Sequence, residues 1–320
     1  YDLDGQLESV SYPSGRMLTY ARDFAGRPTA MSSTPPGGGT AVTIAENLEY
    51  LPFGPASHLE LGPPAGRLIE TRGHDWHYRR TTQQLTDTTP TTLLDLDYGY
   101  DPAGNLTALT DNLGDRTAGY GYDDLGRLTG VTWTDANRVF EYDAIGNLER
   151  IGVDEGFAGE GEVVLGYLDN PEGKNSPVLV STDTTQSGSP VSSYSVISDD
   201  VGNVTSDGLT TLSYNPGNHL VDRELKSINL DYAYTADGRL IRSERSDTGA
   251  ITEIVLDIAG RRLAKLEGGA WRDYVYLGDQ LLAYFDNGAT EPVQVIADHI
   301  GMPMMAVDGA GAVVWQAKAE

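Results

Sequence analysis

The sequence of 320 residues contains no cysteine and no long apolar run. Without cysteine the chain has no disulfide, no thiolate metal site and no cysteine nucleophile. The absence of cysteine fits a reducing and an oxidising compartment equally. The longest apolar runs are short pieces such as Leu281–Phe285, whereas a membrane-spanning helix needs about 20 apolar residues. We therefore expect neither thiol chemistry nor a membrane span.

Basic residues are also scarce, since 22 Lys and Arg face 47 Asp and Glu and give a formal charge of −25. Such a field repels phosphate backbones and anionic membranes. The basic pairs Arg79-Arg80 and Arg261-Arg262 are too small for a nucleic-acid footprint. Nucleic acid is not an expected partner, and the acidity is most simply a source of solubility.

Glycine, proline and tyrosine are plentiful, with 38, 16 and 18 copies, and a short phrase that uses tyrosine and glycine recurs. Between positions 98 and 148 the phrase appears three times, and its three motif glycines are 22 and 20 residues apart. Its key residues are Tyr100, Asp101 and Gly104, then Tyr122, Asp123, Gly126 and Arg127, then Tyr142, Asp143 and Gly146. A fixed period of this length marks a repeat architecture.

Further copies extend the repeat along the chain. Tyr234, Gly238 and Arg239 form a clear copy. Irregular loops are predicted near 31–39 and 151–193, and the second segment is expected to contain strand pieces at 163–167 and 178–180. Because copies lie on both sides of the second irregular segment, the sequence predicts one continuous array over residues 1–320.

The repeat phrase has a physical interpretation. Asp or Asn opens a turn by accepting hydrogen bonds from amides ahead of it, and the glycine three residues later takes the positive φ that ends the turn. Tyrosines two apart, such as Tyr120 and Tyr122, lie on one face of a strand. Each repeat is therefore predicted to be a β-hairpin, and the fold class is all-β.

The phrase Tyr-Asp-x-x-Gly-Arg/Asn-Leu, at a period of about 20 residues, resembles the YD repeat of the RHS and teneurin families over nearly the whole chain. The C-terminal segment 293–320 is similar to the RHS-associated core signature and favours the bacterial RHS proteins. Its matching residues are Asp298, His299, Gly301, Pro303 and Trp315.

This resemblance implies tandem hairpins in a curved sheet strip that forms part or all of a hollow β-shell around a toxic C-terminal segment. It also implies a bacterial protein that is secreted or at the cell surface, through a dedicated secretion system. The family autoprotease and toxin lie downstream, so the parent chain is expected to continue beyond 320. Asp101–Gly104 imitates the family's Asp-Pro-x-Gly-Leu cleavage motif, but Asn105 follows, and we interpret the segment as a turn.

Other candidate sites are weaker. The two histidines of His74–His77 would point to opposite faces of a strand, which disfavours a shared metal. Asp2 with Asp4, and Asp199 with Asp200, lack the late bidentate glutamate of a calcium loop. No catalytic residue, cofactor or metal ligand is assigned.

The leading hypothesis is a non-catalytic structural shell segment that encapsulates or scaffolds an attached C-terminal toxin or other cargo polypeptide. The alternative is an extracellular recognition module that binds a glycan or a cell-surface protein through a tyrosine-rich surface. An enzyme hidden in the array would need converging ionisable groups, which the sequence does not show. Exposed strand edges also predict edge-mediated self-association, unless the strip closes or the irregular segments cap it.

Overall fold

The computed structural model describes residues 5–133, 137–153, 161–169, 175–186 and 189–317. These residues form two antiparallel sheets of 16 and 13 strands, in which the strands follow one another in sequence order. A 3-10 turn at Pro64–Gly66 lies between the strands Ala56–Leu61 and Leu68–His74. Within the described residues no helix has the length and apolarity that crossing a bilayer requires. The predicted all-β fold class and the long antiparallel sheets are confirmed.

The strands of the first sheet are β1 (Ser9–Ser11), β2 (Met17–Arg22), β3 (Pro28–Thr34), β4 (Val42–Tyr50), β5 (Ala56–Leu61), β6 (Leu68–His74), β7 (Arg80–Asp87), β8 (Thr92–Tyr100), β9 (Leu106–Asp111), β10 (Arg116–Tyr122), β11 (Leu128–Thr132), β12 (Asn137–Tyr142), β13 (Leu148–Val153), β14 (Gly161–Asp169), β15 (Asn175–Gln186) and β16 (Ser189–Ser195).

The strands of the second sheet are β17 (Ile197–Ser198), β18 (Val204–Ser206), β19 (Thr210–Tyr214), β20 (Leu220–Leu225), β21 (Ile228–Tyr234), β22 (Leu240–Arg245), β23 (Ala250–Leu256), β24 (Arg262–Glu267), β25 (Ala270–Leu277), β26 (Gln280–Asp286), β27 (Val293–Ala297), β28 (Pro303–Val307) and β29 (Val313–Gln316).

Hairpins that contain the repeat phrase close with a common irregularity in register. Tyr122 pairs with Leu128, but Gly121 pairs with Gly130, so the returning strand carries one extra residue. The same shift follows the pair of Tyr142 with Leu148. An extra residue of this kind is a β-bulge, which bends the strand and increases its twist. The repeat phrase therefore sets the local turn and also the register of the hairpin that follows it.

The segment near 151–193, for which the sequence predicts irregular loops, is extended in its described residues. It contains β14, the 12-residue strand β15 and most of β16. The serine and threonine content of this segment suggests loops by composition, yet threonine is β-branched and suits a pleated strand. Near 31–39 the outcome is mixed, because β3 runs to Thr34 and a turn follows it.

The chain divides into two compact units. Unit 1 comprises Tyr1–Asp97 with Thr252–Glu320, and unit 2 comprises Tyr98–Ile251. In unit 2 the strand residues are mostly half-buried, and the fully buried apolar side chains include Tyr98, Ala118 and Val131. Cross-strand and sequence-adjacent contacts therefore supply most of the packing in unit 2.

Unit 1 contains a dense core that draws on both sheets. Its most deeply buried apolar side chains are Leu18, Met31, Ile44, Leu59, Leu61, Leu68 and Leu85 from the first sheet, with Leu282, Phe285, Ile296 and Met305 from the second. The two sets of strands are tied by side-chain bonds, since Tyr12 Oη donates to the Tyr274 carbonyl at 2.8 Å and Gln294 Nε2 to the Ile44 carbonyl at 3.1 Å. Burial of each large apolar side chain contributes about 1.5–3 kcal/mol.

A completely buried arginine lies at the centre of this packing. Arg16 Nε donates to Asp273 Oδ2 at 3.1 Å, Nη1 to Ser33 Oγ at 2.8 Å and Nη2 to the Ala289 carbonyl at 2.5 Å. Its guanidinium carbon lies 3.6 Å from the centre of the Phe285 ring. These three hydrogen bonds and the ring contact join β3 and the segment at Arg16, which directly precedes β2, to β25 and β26.

The partner carboxylate is less well satisfied. Ser14 Oγ donates to Asp273 Oδ2 at 2.6 Å, but Asp273 Oδ1 has no hydrogen-bond partner within the described part of the chain. Burial raises the pKa of Asp273, and the bonds from Ser14 and Arg16 act in the opposite direction. Removal of the arginine would leave a buried carboxylate with little compensation.

We expect Arg16→Met to lower the free energy of unfolding by about 3–5 kcal/mol, because it leaves Asp273 buried and unpaired. The double variant Arg16→Met/Asp273→Leu should be more stable than the single variant, since it removes both charges. Chemical denaturation followed by far-UV circular dichroism measures both changes. The control is Arg245→Met, which breaks an exposed pair with Asp247 and should cost about 0–1 kcal/mol. Equal losses for Arg16→Met and Arg245→Met would contradict this account of the core.

Candidate functional site in the repeated turn

The turn at Asp123 shows what the repeat phrase does. Its Oδ1 accepts the amide hydrogens of Leu125 and Arg127 at 3.0 and 2.9 Å, and Oδ2 accepts Arg127 Nε at 2.6 Å. The Gly126 amide donates to the Asp123 carbonyl at 2.9 Å, and Gly126 has a φ of +75°. One carboxylate thus satisfies two turn amides and holds the side chain four residues ahead. The left-handed conformation at Gly126 lets the chain turn back.

The same bond from the amide of the fourth residue recurs along both sheets. Its acceptors are Asp23, Asp75, Asp101, Asp143, Asp199, Asp257, Asp298 and Asp308, with Asn215 and Thr235 in the same role. In the copy of Gly238 and Arg239 the hydroxyl of Thr235 accepts from the Arg239 amide at 3.0 Å. A hydroxyl or amide oxygen can therefore replace the carboxylate.

Hydrogen bonding lowers the pKa of Asp23, Asp101 and Asp123 among the turn carboxyls. The Asn105 side chain is the largest cause for Asp101, as the Arg27 side chain is for Asp23 and the Arg127 backbone amide for Asp123. A depressed pKa means that the ionised form is the one bonded in the folded turn. The turn is thus a charge-assisted structure.

In six of the described copies a tyrosine joins the copy to the one before. The Tyr142 hydroxyl donates to the Leu128 carbonyl at 2.9 Å, and Leu128 lies five residues after Asp123. The same bond is made to the carbonyl five residues after the preceding turn residue by Tyr50, Tyr122, Tyr167, Tyr234 and Tyr276, with acceptors Pro28, Leu106, Leu148, Leu220 and Arg262. Each phenol therefore satisfies a main-chain carbonyl of its neighbour.

A second contact reinforces this link. The Arg127 guanidinium lies over the Tyr142 ring at 4.6 Å while it is bound to Asp123. His219 takes the same place in its own copy, and its ring stacks on Tyr234 at 5.0 Å. Cation–π and stacking contacts are worth about 0.5–1.5 kcal/mol each. The turn residue, its cation and the next tyrosine form one unit, here called the inter-repeat clamp.

The core-like segment at the C-terminal end repeats this turn. Asp298 Oδ1 accepts the amides of Ile300 and Met302 at 3.0 and 2.8 Å, and Gly301 has a φ of +87°. Pro303 begins β28 opposite Ala297. Burial lowers the pKa of His299, which favours its neutral form.

Trp315 does not lie beside the Asp298 turn with the other core-like residues. It lies in β29 opposite Ala306 and is exposed. Asp298 and Gly301 lie in one turn and Pro303 begins the strand after it, whereas Trp315 lies in the strand that follows the next turn. The core-like residues therefore occupy two successive hairpin positions.

A buried polar network beside this turn has no counterpart in the sequence-based predictions. Arg72 makes two bonds to Glu70, from Nε at 2.6 Å and from Nη2 at 2.9 Å. Gln83 Nε2 donates to Glu70 Oε1 at 2.8 Å and to the Ala297 carbonyl at 2.9 Å. The i, i+2 spacing of Glu70 and Arg72 places them on one strand face, but no local signal shows that the face is buried.

The remaining candidates resolve into structural roles or stay untested. Asp75 of the segment His74–His77 is a turn acceptor for the amides of His77 and Arg79, and burial lowers the pKa of His74. Among the described residues no three potential ligands cluster around a metal position. Asp2 and Asp4 lie outside the described residues. Asp101–Gly104 has the turn geometry of the other copies.

The clamp predicts a specific effect of one hydroxyl. Tyr234→Phe should lower the free energy of unfolding by about 0.5–1.5 kcal/mol, because it removes the 2.7 Å bond to the Leu220 carbonyl but keeps the ring. The matched control is Tyr232→Phe in the same strand, whose hydroxyl makes no side-chain hydrogen bond among the described residues. It should change stability by less than about 0.5 kcal/mol. Thermal melts in which both variants match the parent would count against the clamp.

Two aspartates, Asp123 in a repeated turn and Asp222 in β20, predict opposite pH responses. Asp123 has a lowered pKa, so its contribution is present above the unfolded value of about 3.9 and is lost as the pH falls through the folded value. Burial, with Asp231 and Glu224 nearby, raises the pKa of Asp222, so its contribution is present in acid and is lost as the pH rises through the folded value.

Melting temperatures from pH 2 to pH 7 check this pair. Asp123→Asn should lower the melting temperature at neutral pH and leave it nearly unchanged in acid. Asp222→Asn should raise it at neutral pH and have little effect in acid, since asparagine keeps the shape and removes the charge. Changes of the same sign in both variants at neutral pH would show that the assigned interactions do not control the titration.

The comparisons with known proteins agree with this geometry. Residues 100–138 match the model of the RHS repeat family. No curated protein sequence matches the chain.

Solved structures match over the whole chain. TcdB2-TccC3 shares 13% identity at a TM-score of 0.66, and 100% of this chain covers 18% of that chain. The Photorhabdus luminescens Tc holotoxin pore shares 13% identity at a TM-score of 0.64, with 100% of this chain and 17% of that chain covered. TcdB2-TccC3-Cdc42 shares 13% identity at a TM-score of 0.64, with 100% of this chain and 18% of that chain covered.

The chain thus spans less than a fifth of these proteins' chains. At 13% identity the likeness concerns the fold. The predicted resemblance is confirmed: the chain carries RHS repeat sequence at 100–138 and has, over its whole length, the fold of the TcdB2-TccC3 structures.

Proposed function

We propose that this chain is a non-catalytic wall segment of an RHS-type shell, which encapsulates or scaffolds an attached polypeptide. The observation that carries the proposal is the inter-repeat clamp, because the same turn, tyrosine bond and ring contact recur from copy to copy. A catalytic or binding site usually occurs once in a domain, whereas a shell built of repeats needs the same structural contact at every hairpin. The repeated residues are best explained as contacts that hold neighbouring hairpins together.

The chemistry of the repeated side chains supports a structural role. The turn carboxylates are bonded to amides and to the cation of their own turn, and the tyrosine hydroxyls are bonded to main-chain carbonyls. The lowered pKa values of Asp101 and Asp123 keep these two carboxyls ionised and unable to act as acids near neutral pH. The carboxylates and hydroxyls of the repeat phrase therefore stabilise the turns and the contacts between neighbouring hairpins.

The proposal extends to the partner and the location. One of the similar structures is TcdB2-TccC3 without a hypervariable C-terminal region, and another is a Tc holotoxin pore. By analogy, the attached partner of this chain is a C-terminal toxin or another cargo polypeptide, held by steric confinement. A protein of this kind acts outside the cell that makes it, and we place the family autoprotease and the toxin in the parent protein downstream of this segment.

The alternative, a recognition module that binds a glycan or protein through its tyrosines, has less support. Tyr50, Tyr122, Tyr142 and Tyr234 donate their hydroxyls within the wall. Sugar binding needs free polar groups beside an aromatic face. A glycan array would distinguish the two functions, because specific retention of a glycan favours the module.

Limited proteolysis of the parent polypeptide tests encapsulation. The cargo segment should be cleaved at least about tenfold more slowly within the parent than when it is expressed alone, because cleavage would require the wall to open. The matched control pairs Tyr234→Phe with Tyr232→Phe in the parent: the first should speed cleavage of the cargo, and the second should not. Equal cleavage rates for the free and attached cargo would overturn the proposal.

A further inference from the structure

Large apolar side chains stand exposed on the turns of unit 1. Phe24 and Phe53 are fully exposed at 114% and 103%, and Ile258, Trp76 and Ile300 are exposed at 94%, 83% and 71%. All five occupy the middle of a turn, where polar or small residues are usual. Together they are here called the apolar rim.

Within each sheet, the rim residues lie at the same end of the strands. Phe24, Phe53 and Trp76 occupy the connections β2–β3, β4–β5 and β6–β7, and Ile258 and Ile300 occupy β23–β24 and β27–β28. In a sheet of sequential antiparallel strands, every second connection lies at the same end of the strands. Successive turn tips at that end are two strand spacings apart, which is about 10 Å.

Contacts within unit 1 bring the two rows to the same end. Arg80, at the end of the Trp76 turn, donates from Nη1 to the carbonyl of Ala297 at 3.2 Å, and Ala297 directly precedes the Ile300 turn. Near the Phe24 turn, Arg261 and Asp257 of the Ile258 turn act electrostatically on the Tyr20 phenol, whose pKa is raised by burial. The five side chains therefore share one surface.

The turn itself does not need these side chains. The connection at Asp308 makes the same bonds with Gly309 and Ala310 in the middle positions, and the one at Thr235 makes them with Ala236 and Asp237. A fully exposed phenylalanine or isoleucine adds nothing to the core. Apolar side chains that the fold neither buries nor requires mark an interaction surface.

Charge and area decide which partner fits. The chain carries −25, but three of the rim carboxylates, Asp23, Asp75 and Asp257, are each paired with an arginine four residues ahead, and Asp298 of the Ile300 turn is bonded to turn amides. Much of the rim charge is thus compensated on an acidic molecule, so the repulsion between two copies is reduced there. Three aromatic side chains of about 150–250 Å² each, with two isoleucines, supply close to the 800 Å² per partner that a stable interface buries.

We propose that the apolar rim of unit 1 binds the apolar rim of a second copy of this chain. Two identical rows of tips have the same spacing of about 10 Å, so the tips of one copy fit between the tips of the other in an isologous contact. This contact uses the turns and not the strand edges, and it does not depend on the proposed function.

Sedimentation equilibrium of the 320-residue chain over a concentration series tests the proposal. We expect a reversible dimer, and the variant Phe24→Ser/Phe53→Asn/Trp76→Ser should weaken dimerisation at least about tenfold, because exposed aromatics dominate interface energies. Asparagine is chosen at position 53 because Phe53 has a φ of +54° and asparagine tolerates this conformation. An unchanged melting temperature shows that the variant is folded.

The matched control is Leu113→Ser/Leu209→Ser. It removes two exposed leucines from the connections β9–β10 and β18–β19, which lie at the opposite end of the strands from the rim connections of the same sheet. The control should dimerise like the parent. Added salt should strengthen the dimer, because it screens the repulsion between acidic molecules.

Three results would overturn the proposal. They are a monomer at every concentration, a dimer that the rim variant leaves intact, and a dimer that salt dissociates. Cosedimentation of the parent, but not of the rim variant, with phosphatidylcholine vesicles, in place of dimerisation, would assign the rim to a lipid surface instead.

Discussion

The carboxylate that accepts two amide hydrogens inside a five-residue turn is the constraint on which the sheets depend. At Asp123 the bonds to Leu125 and Arg127 replace the water that these amides would otherwise bind, and Gly126 supplies the backbone conformation that closes the loop. The turn fixes the bulge that follows and hence the register in which Tyr122 meets Leu128. Register in turn decides which side chains face each other across the hairpins.

The inter-repeat clamp extends this local order from one hairpin to the next. Arg127 belongs to the turn of Asp123, yet its guanidinium lies over Tyr142, and the Tyr142 hydroxyl binds the Leu128 carbonyl. In unit 2, where few side chains are fully buried, contacts of this kind link neighbours in a nearly one-dimensional way. In unit 1 the same turns are supplemented by an apolar core and by the buried Arg16–Asp273 pair.

Much of the local structure could be predicted because its causes lie within five residues in sequence. The turns at Asp101, Asp123 and Asp143, with positive φ at Gly104, Gly126 and Gly146, follow directly from the residue types. In the segment near 151–193 the sequence predicts only short strand pieces between loops, whereas β14 and β15 extend beyond those pieces. The sequence also concealed positions such as Asn218, which takes the left-handed conformation in place of the preceding Gly217.

By itself the sequence determined the all-β class, the hairpin period and the turn chemistry, because a carboxylate and the amides it binds are separated by only two to four residues. Only the tertiary structure decided that Arg16 lies buried against Asp273, 257 residues further along the chain, and that Gln83 joins Glu70 to the Ala297 carbonyl. It also decided which turn tips share one surface. Such contacts depend on which sheet faces meet, and an alternating strand pattern shows that a face is covered but not which distant strand covers it.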